Sequence, residues 1–228
     1  MRRVMGVVLQ PRTTMAEVVR DPSFILTWIV ILVVVLLCGG LLLSTPVGRQ
    51  ALVDERVRVT EALGTRVDDA EYARLQANPP LLTYLTSGGR LLVTPEVTLV
   101  VAAGLMLLAR IDGAHLSYVT ALAIAVHATV VLAAQQILAT PVHYLYESLT
   151  SPFNLAGMLG WFDEGTWPAR LFGTIDVFGV WWIWLMAVGV AAASGRPWPR
   201  YFWRLLVVYV GVAAAVAAAF AVLGQGSS

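Results

Sequence analysis

Asp176 stands inside the apolar run Leu171–Ser194, where every neighbour within several residues is compatible with hydrocarbon. A carboxylate near the middle of a membrane helix costs about 2.5 to 3.5 kcal/mol on a translocon-based scale, so something must face it, hydrate it or protonate it. The chemistry open to such a group is the handling of ions, protons or lipid headgroups, or contact with a partner. The alternative is an interhelical hydrogen bond that fixes a bundle. Glu96, Gln135, Gln136 and His127 stand in two other apolar runs. With the topology given below, Glu96, Gln135, Gln136 and Asp176 fall toward the outer side. His127 falls about 12 Å inward of Gln135 at 1.5 Å per residue. The five residues are therefore expected to form an intramembrane polar layer, with His127 at its floor.

Each has a plainer account. Glu96 follows Thr94 and Pro95 and would complement the positive end of a helix starting there. Gln135 and Gln136 would cap an interface, and His127 would be a packing residue bonded to a carbonyl of another helix. Catalytic and cofactor signatures are missing: the sequence has no H-E-x-x-H, no G-x-S-x-G, no CxxC and no glycine-rich phosphate loop. His143 and Glu147 lie one helical turn apart without a third ligand in view, and Cys38 is single. The expectation is a protein without catalytic residues, metal or cofactor.

The elements that position these residues follow from composition. The chain is 58% hydrophobic and 13% charged, against about 25% charged in soluble domains, so most of its surface must meet lipid or other apolar helices. Five runs are read as spans: about 24–44, 91–109, 118–139, 171–194 and 201–223. The second is the least defined, because its uninterrupted part, Pro95 to Ala109, is short. The first is too long for a cleavable signal and no A-x-A site follows it. The fold class is all-α, a polytopic membrane bundle of five transmembrane helices with short extramembrane helices in the first outer loop.

Residues 1–23 form a segment before the first span, opened at Thr14 and Glu17 by a capping box and carrying a short interfacial helix. Asp21 and Pro22 would start the first span. The outer loop, 45–90, is expected to hold two short helices, the second capped by Asp68 or Asp69, and 224–228 is a tail. Segments 1–23, 110–117 and 195–204 carry eight arginines against three carboxylates, whereas the opposite set carries seven against nine. That bias puts the N-terminus in the cytoplasm and the C-terminus outside. The nearly neutral balance gives nucleic acid no basic face.

Gly173 and Gly179 flank Asp176 three residues away on each side, and small residues there let a neighbouring helix approach. Trp181 and Trp182 occupy the interior of the fourth span rather than an interfacial belt, which makes them candidates for packing or partner contact.

The run LFGTIDVFGVWWIWLMAVGVAAASG, a short arginine and proline hairpin and a final small-residue span resemble the bacterial branch of the Yip-domain family. The matching positions are Asp176, Phe178, Trp181 or Trp182, and Gly189. VLQPRTTMAEVVRDPSF and TSPFNLAGMLGWFDEG are similar to the family's N-terminal approach and its extracytoplasmic connector. The resemblance covers most of the chain but departs at the long first outer loop. It implies five helices, a cytoplasmic N-terminus, the bacterial inner membrane and no known catalytic residues. Some bacterial members are associated with ABC transporters of the macrolide-export type. The functional expectation is a non-enzymatic membrane scaffold or accessory subunit that binds another membrane protein such as an ABC-type exporter, or a second copy of itself. The alternative is small-molecule, ion or lipid handling through the Asp176 layer.

Overall fold

A computed structural model describes residues 2–62, 64–77, 81–160 and 166–225, with side chains described for all of these except 62, 81–94, 220, 221 and 223–225. In chain order the helices are α1 (Arg2–Leu9), α2 (Pro11–Arg20), α3 (Ile25–Ser44), α4 (Pro46–Ala62), α5 (Asp69–Ala77), α6 (Leu81–Ile111), α7 (Tyr118–Leu145), α8 (Leu155–Leu159), α9 (Trp167–Thr174), α10 (Val177–Ser194) and α11 (Trp198–Gln225). Among the described residues four helices are long and apolar enough to cross a membrane: α3, α7, α10 and the Trp198–Ala219 part of α11. The stretch expected as a second span lies within α6, which starts ten residues before 91 and runs through Pro95.

Three sequence expectations change. The run 171–194 is not one helix: α9 ends at Thr174, Ile175 is extended, and α10 starts at Val177. The Thr14–Glu17 pair does not open α2, because the helix starts from Gln10, four residues before Thr14, with Pro11 in its first turn. Thr14 is consequently inside the helix and buried, while Glu17 pairs with Arg2. Asp21 closes α2 instead of opening α3, and its carboxylate holds Arg3 at 2.7 Å.

The chain forms two compact units. The first comprises Met1–Val35, Leu91–Gln136 and Phe178–Tyr209. Its centre is the Ala121–Val131 stretch of α7, which is buried on all sides. Seven of these eleven residues are alanine or valine, which allows neighbours to approach closely, and in lipid such van der Waals packing replaces the hydrophobic effect as the glue. Ile31 of α3, Leu105 of α6, Ile183 and Leu185 of α10 and Tyr201 of α11 complete this core, with Val7, Met15 and Val18 from α1 and α2.

The second unit comprises Leu36–Arg90, Ile137–Val177 and Val210–Ser228. Here α4 buries Ala51, Leu52 and Val53, and α5 pairs with it through polar side chains. Asp68 caps α5, accepting from the Glu71 amide at 2.7 Å. Gln50 donates to Asp54 and to Tyr72, whose hydroxyl in turn donates to Asp54 at 2.6 Å. That bond, with burial and the Asp54 charge, pushes the Tyr72 hydroxyl above its ordinary range. Arg58 reaches Thr150 at 2.7 Å, tying α4 to the connector before α8.

Candidate functional site

Asp176 sits in the break before α10, at the residue that precedes the first turn of that helix. The break is held by backbone pairing with the connector: the Leu155 amide donates to the Ile175 carbonyl at 2.9 Å and the Val177 amide to Phe153 at 3.1 Å. Together these make an isolated antiparallel bridge between Asn154 and Asp176. The Ser151 hydroxyl donates to Asp176 Oδ2. Asn154 is buried and caps α8, accepting from the Gly157 amide at 2.7 Å while its side-chain NH2 donates to the Ser151 carbonyl. The carboxylate thus faces a connector, in a half-buried position at a helix start.

His127 lies in the core of the first unit with no exposed surface. Its Nδ1 is 2.8 Å from the Ala123 carbonyl of its own helix, and its Nε2 is 3.1 Å from Thr27 Oγ1 on α3. A carbonyl only accepts, so Nδ1 carries the proton. In the neutral ring Nε2 is then an acceptor and the Thr27 hydroxyl donates to it. The carbonyl partner is on the histidine's own helix rather than another, and the link between helices is made by Thr27.

Glu96 is exposed on α6, well beyond the first turn, so the helix-start account does not apply to it. Gln135 and Gln136 are half-buried on α7. These three and His127 belong to the first unit, and Asp176 belongs to the second. Gly189 faces α7 so closely that a Cβ there would come within 2.5 Å of Ile124 Cγ2. At Gly179 a Cβ would meet the Tyr209 hydroxyl at 2.6 Å, whereas at Gly173 it would meet nothing within 4 Å. Trp182 Nε1 donates to Thr129 at 3.3 Å, and the Thr129 hydroxyl in turn donates to the Ala125 carbonyl at 2.9 Å. Trp181 packs beside Phe178 with ring centroids 6.1 Å apart.

A further charged centre was not singled out from the sequence. Asp112, just past α6, has a side chain 1% exposed, and its Oδ1 accepts from Arg200 and Arg204 of α11, each at 2.7 Å. Burial pushes this carboxyl up, but the two guanidiniums outweigh it and hold the group below the usual carboxylate range. The signal was present: Asp112 is the sole carboxylate in the short segments 110–117 and 195–204. His143 Nδ1 donates to the Ser148 carbonyl at 2.7 Å, across a turn in which Glu147 adopts a positive φ of 52°. Among the described residues no three of His, Cys, Asp and Glu come together as a metal-binding group.

Apolar helices of spanning length, joined by arginine-rich and polar connections, define a multi-pass membrane protein. The chain belongs to the Yip1 domain family, which matches residues 5–222. That family is one of membrane proteins not known as enzymes. No curated protein and no solved structure matches the chain.

Proposed function

We propose that this chain is a non-enzymatic membrane scaffold or accessory subunit that binds another membrane protein. A bacterial inner-membrane exporter of the ABC type is the leading partner, and a second copy of the chain is the other. In this reading there are five spans, with α6 contributing the second, the N-terminus cytoplasmic and the α4–α5 arm outside. The observation that carries it is that arm. Its two helices are braced by Gln50, Asp54 and Tyr72 before any partner arrives, while α5 buries none of its own residues. A braced helix with an uncovered face binds without first paying for its own ordering. The polar groups of the first unit support the same reading, since His127, Thr27, Trp182 and Thr129 are engaged in bonds between helices.

The test is capture from native membranes by the tagged full chain and by the double charge reversal Glu71→Arg/Arg74→Glu on the exposed face of α5. The reading expects one membrane protein to co-purify with wild type and to be lost from the variant at unchanged melting temperature. Equal capture by both, or capture of nothing by wild type, overturns it. The competing reading, ion or lipid handling around Asp176, requires instead an ion-dependent or pH-dependent change in vesicles that Asp176→Asn abolishes.

A further inference from the structure

We infer that the α1–α2 hairpin and the start of α3 hold the headgroup of an anionic phospholipid. The hairpin carries a cleft of about 430 Å³ lined by Arg2, Arg3, Pro22, Ser23 and the first residues of α3, Phe24 to Thr27. Its lining is amphiphilic: the guanidiniums of Arg2 and Arg3 and the hydroxyl of Ser23 stand together with Phe24, Ile25 and Leu26. Ile25 and Leu26 are 68% and 62% exposed at the beginning of the most apolar span, whose mean hydropathy is 3.0. Met5 and Leu9 of α1 are 64% and 71% exposed as well, although α1 also carries both arginines. Apolar side chains beside cations at the start of a span fit a surface that offers acyl chains next to negative headgroups.

The arginines have donors to give. Arg3 uses three of its five N–H groups, two on Asp21 and one on Ser23, among the described residues. Arg2 uses one, on Glu17 at 3.1 Å, with its side chain 87% exposed. An ion pair so exposed is weak and exchanges readily for a phosphate, which accepts several charge-assisted bonds at once. With Arg12 and Arg20, residues 2–23 carry four arginines against Glu17 and Asp21, so an anion is favoured there by net charge too. A phosphate alone would satisfy the guanidiniums but leave Phe24, Ile25 and Leu26 uncovered. A phospholipid meets both the cationic and the apolar lining residues, and on that ground the lipid is the occupant.

The experiment is native mass spectrometry of the full chain in nonionic detergent, titrated with short-chain phosphatidylglycerol, short-chain phosphatidylcholine or inorganic phosphate. Wild type is expected to retain one phosphatidylglycerol in preference to phosphatidylcholine. Arg2→Gln should weaken retention about fivefold, and Arg2→Gln/Arg3→Gln by about fivefold again. Arg2→Gln removes one exposed ion pair and leaves the fold intact, so its result stands even if the double variant melts early. Retention unchanged in Arg2→Gln, or equal for the two lipids, overturns the assignment. Displacement of the lipid by millimolar phosphate identifies a free-anion site and overturns it as well.

Discussion

His127 and Thr27, one hundred residues apart, share a hydrogen bond of 3.1 Å in the core of the first unit. The ring's other nitrogen is already committed to Ala123, so Thr27 is the group that answers the bare Nε2 and the bond that ties α3 to α7. Thr27→Val, nearly the same shape, leaves a buried acceptor unmet and should cost about 1 to 3 kcal/mol. Thr27→Ser should cost far less. Adding His127→Leu to Thr27→Val should cost less than the two single losses combined, as measured by thermal melting of the four proteins in one detergent. Strict additivity would mean that the bond contributes nothing.

Asp112 gives the stability a pH dependence of definite sign. Its folded carboxyl is held below the ordinary range, so its contribution is complete above the unfolded value of about 3.9. It is lost as pH falls through the lower, folded value. The wild-type melting temperature should therefore drop as pH is taken below about 4, and the drop should shrink in Asp112→Asn. Asp112→Asn should also melt lower than wild type at pH 7. Identical acid slopes for the two proteins would show that other carboxylates govern the transition.

Gly189 and Gly173 should respond oppositely to alanine. A Cβ at Gly189 would press on Ile124, whose branched side chain is fully buried, so Gly189→Ala should destabilise by about 1 to 3 kcal/mol. Ile124→Ala in the same chain should recover part of the loss. At Gly173 the space is open and the backbone helical, and alanine should be neutral or stabilise by up to about 1 kcal/mol. Melting curves of the three variants decide this.

Asp176→Ala removes the acceptor of the Ser151 hydroxyl while leaving the backbone bridge in place. Amide exchange should quicken at residues 151–159 and stay unchanged in the Ala121–Val131 stretch of α7. Ser151→Ala should reproduce the effect. Exchange that quickens throughout the chain would instead make Asp176 a support of the whole bundle.

The legible part of the fold was the part carried by local composition. Long apolar runs identify α3, α7, α10 and α11, and the helix formers of 46–63 and 68–77, with Asp68 or Asp69 as cap, identify α4 and α5. What depended on distant chain was not legible. Residues 171–194 read as one apolar run, and the interruption at Ile175 and Asp176 exists because residues 153–155 supply backbone partners there. Similarly, Thr27 looks like any threonine in an apolar run until His127 faces it. The Thr14–Glu17 pair failed for a local reason, since Pro11 begins the helix first. The five residues expected as one layer were joined by estimated depth alone, and depth along separate helices carries no information about which side chains meet.

The bridge between Asn154 and Asp176 also means that the chain departs and returns at one point, with α8 and α9 in the excursion between. Whatever happens to the length of that excursion, the pairing holds residues 153 and 177 to each other. Lengthening the excursion therefore leaves the register of Phe153 and Val177 unaltered, which makes it a place to label the protein without disturbing either terminus.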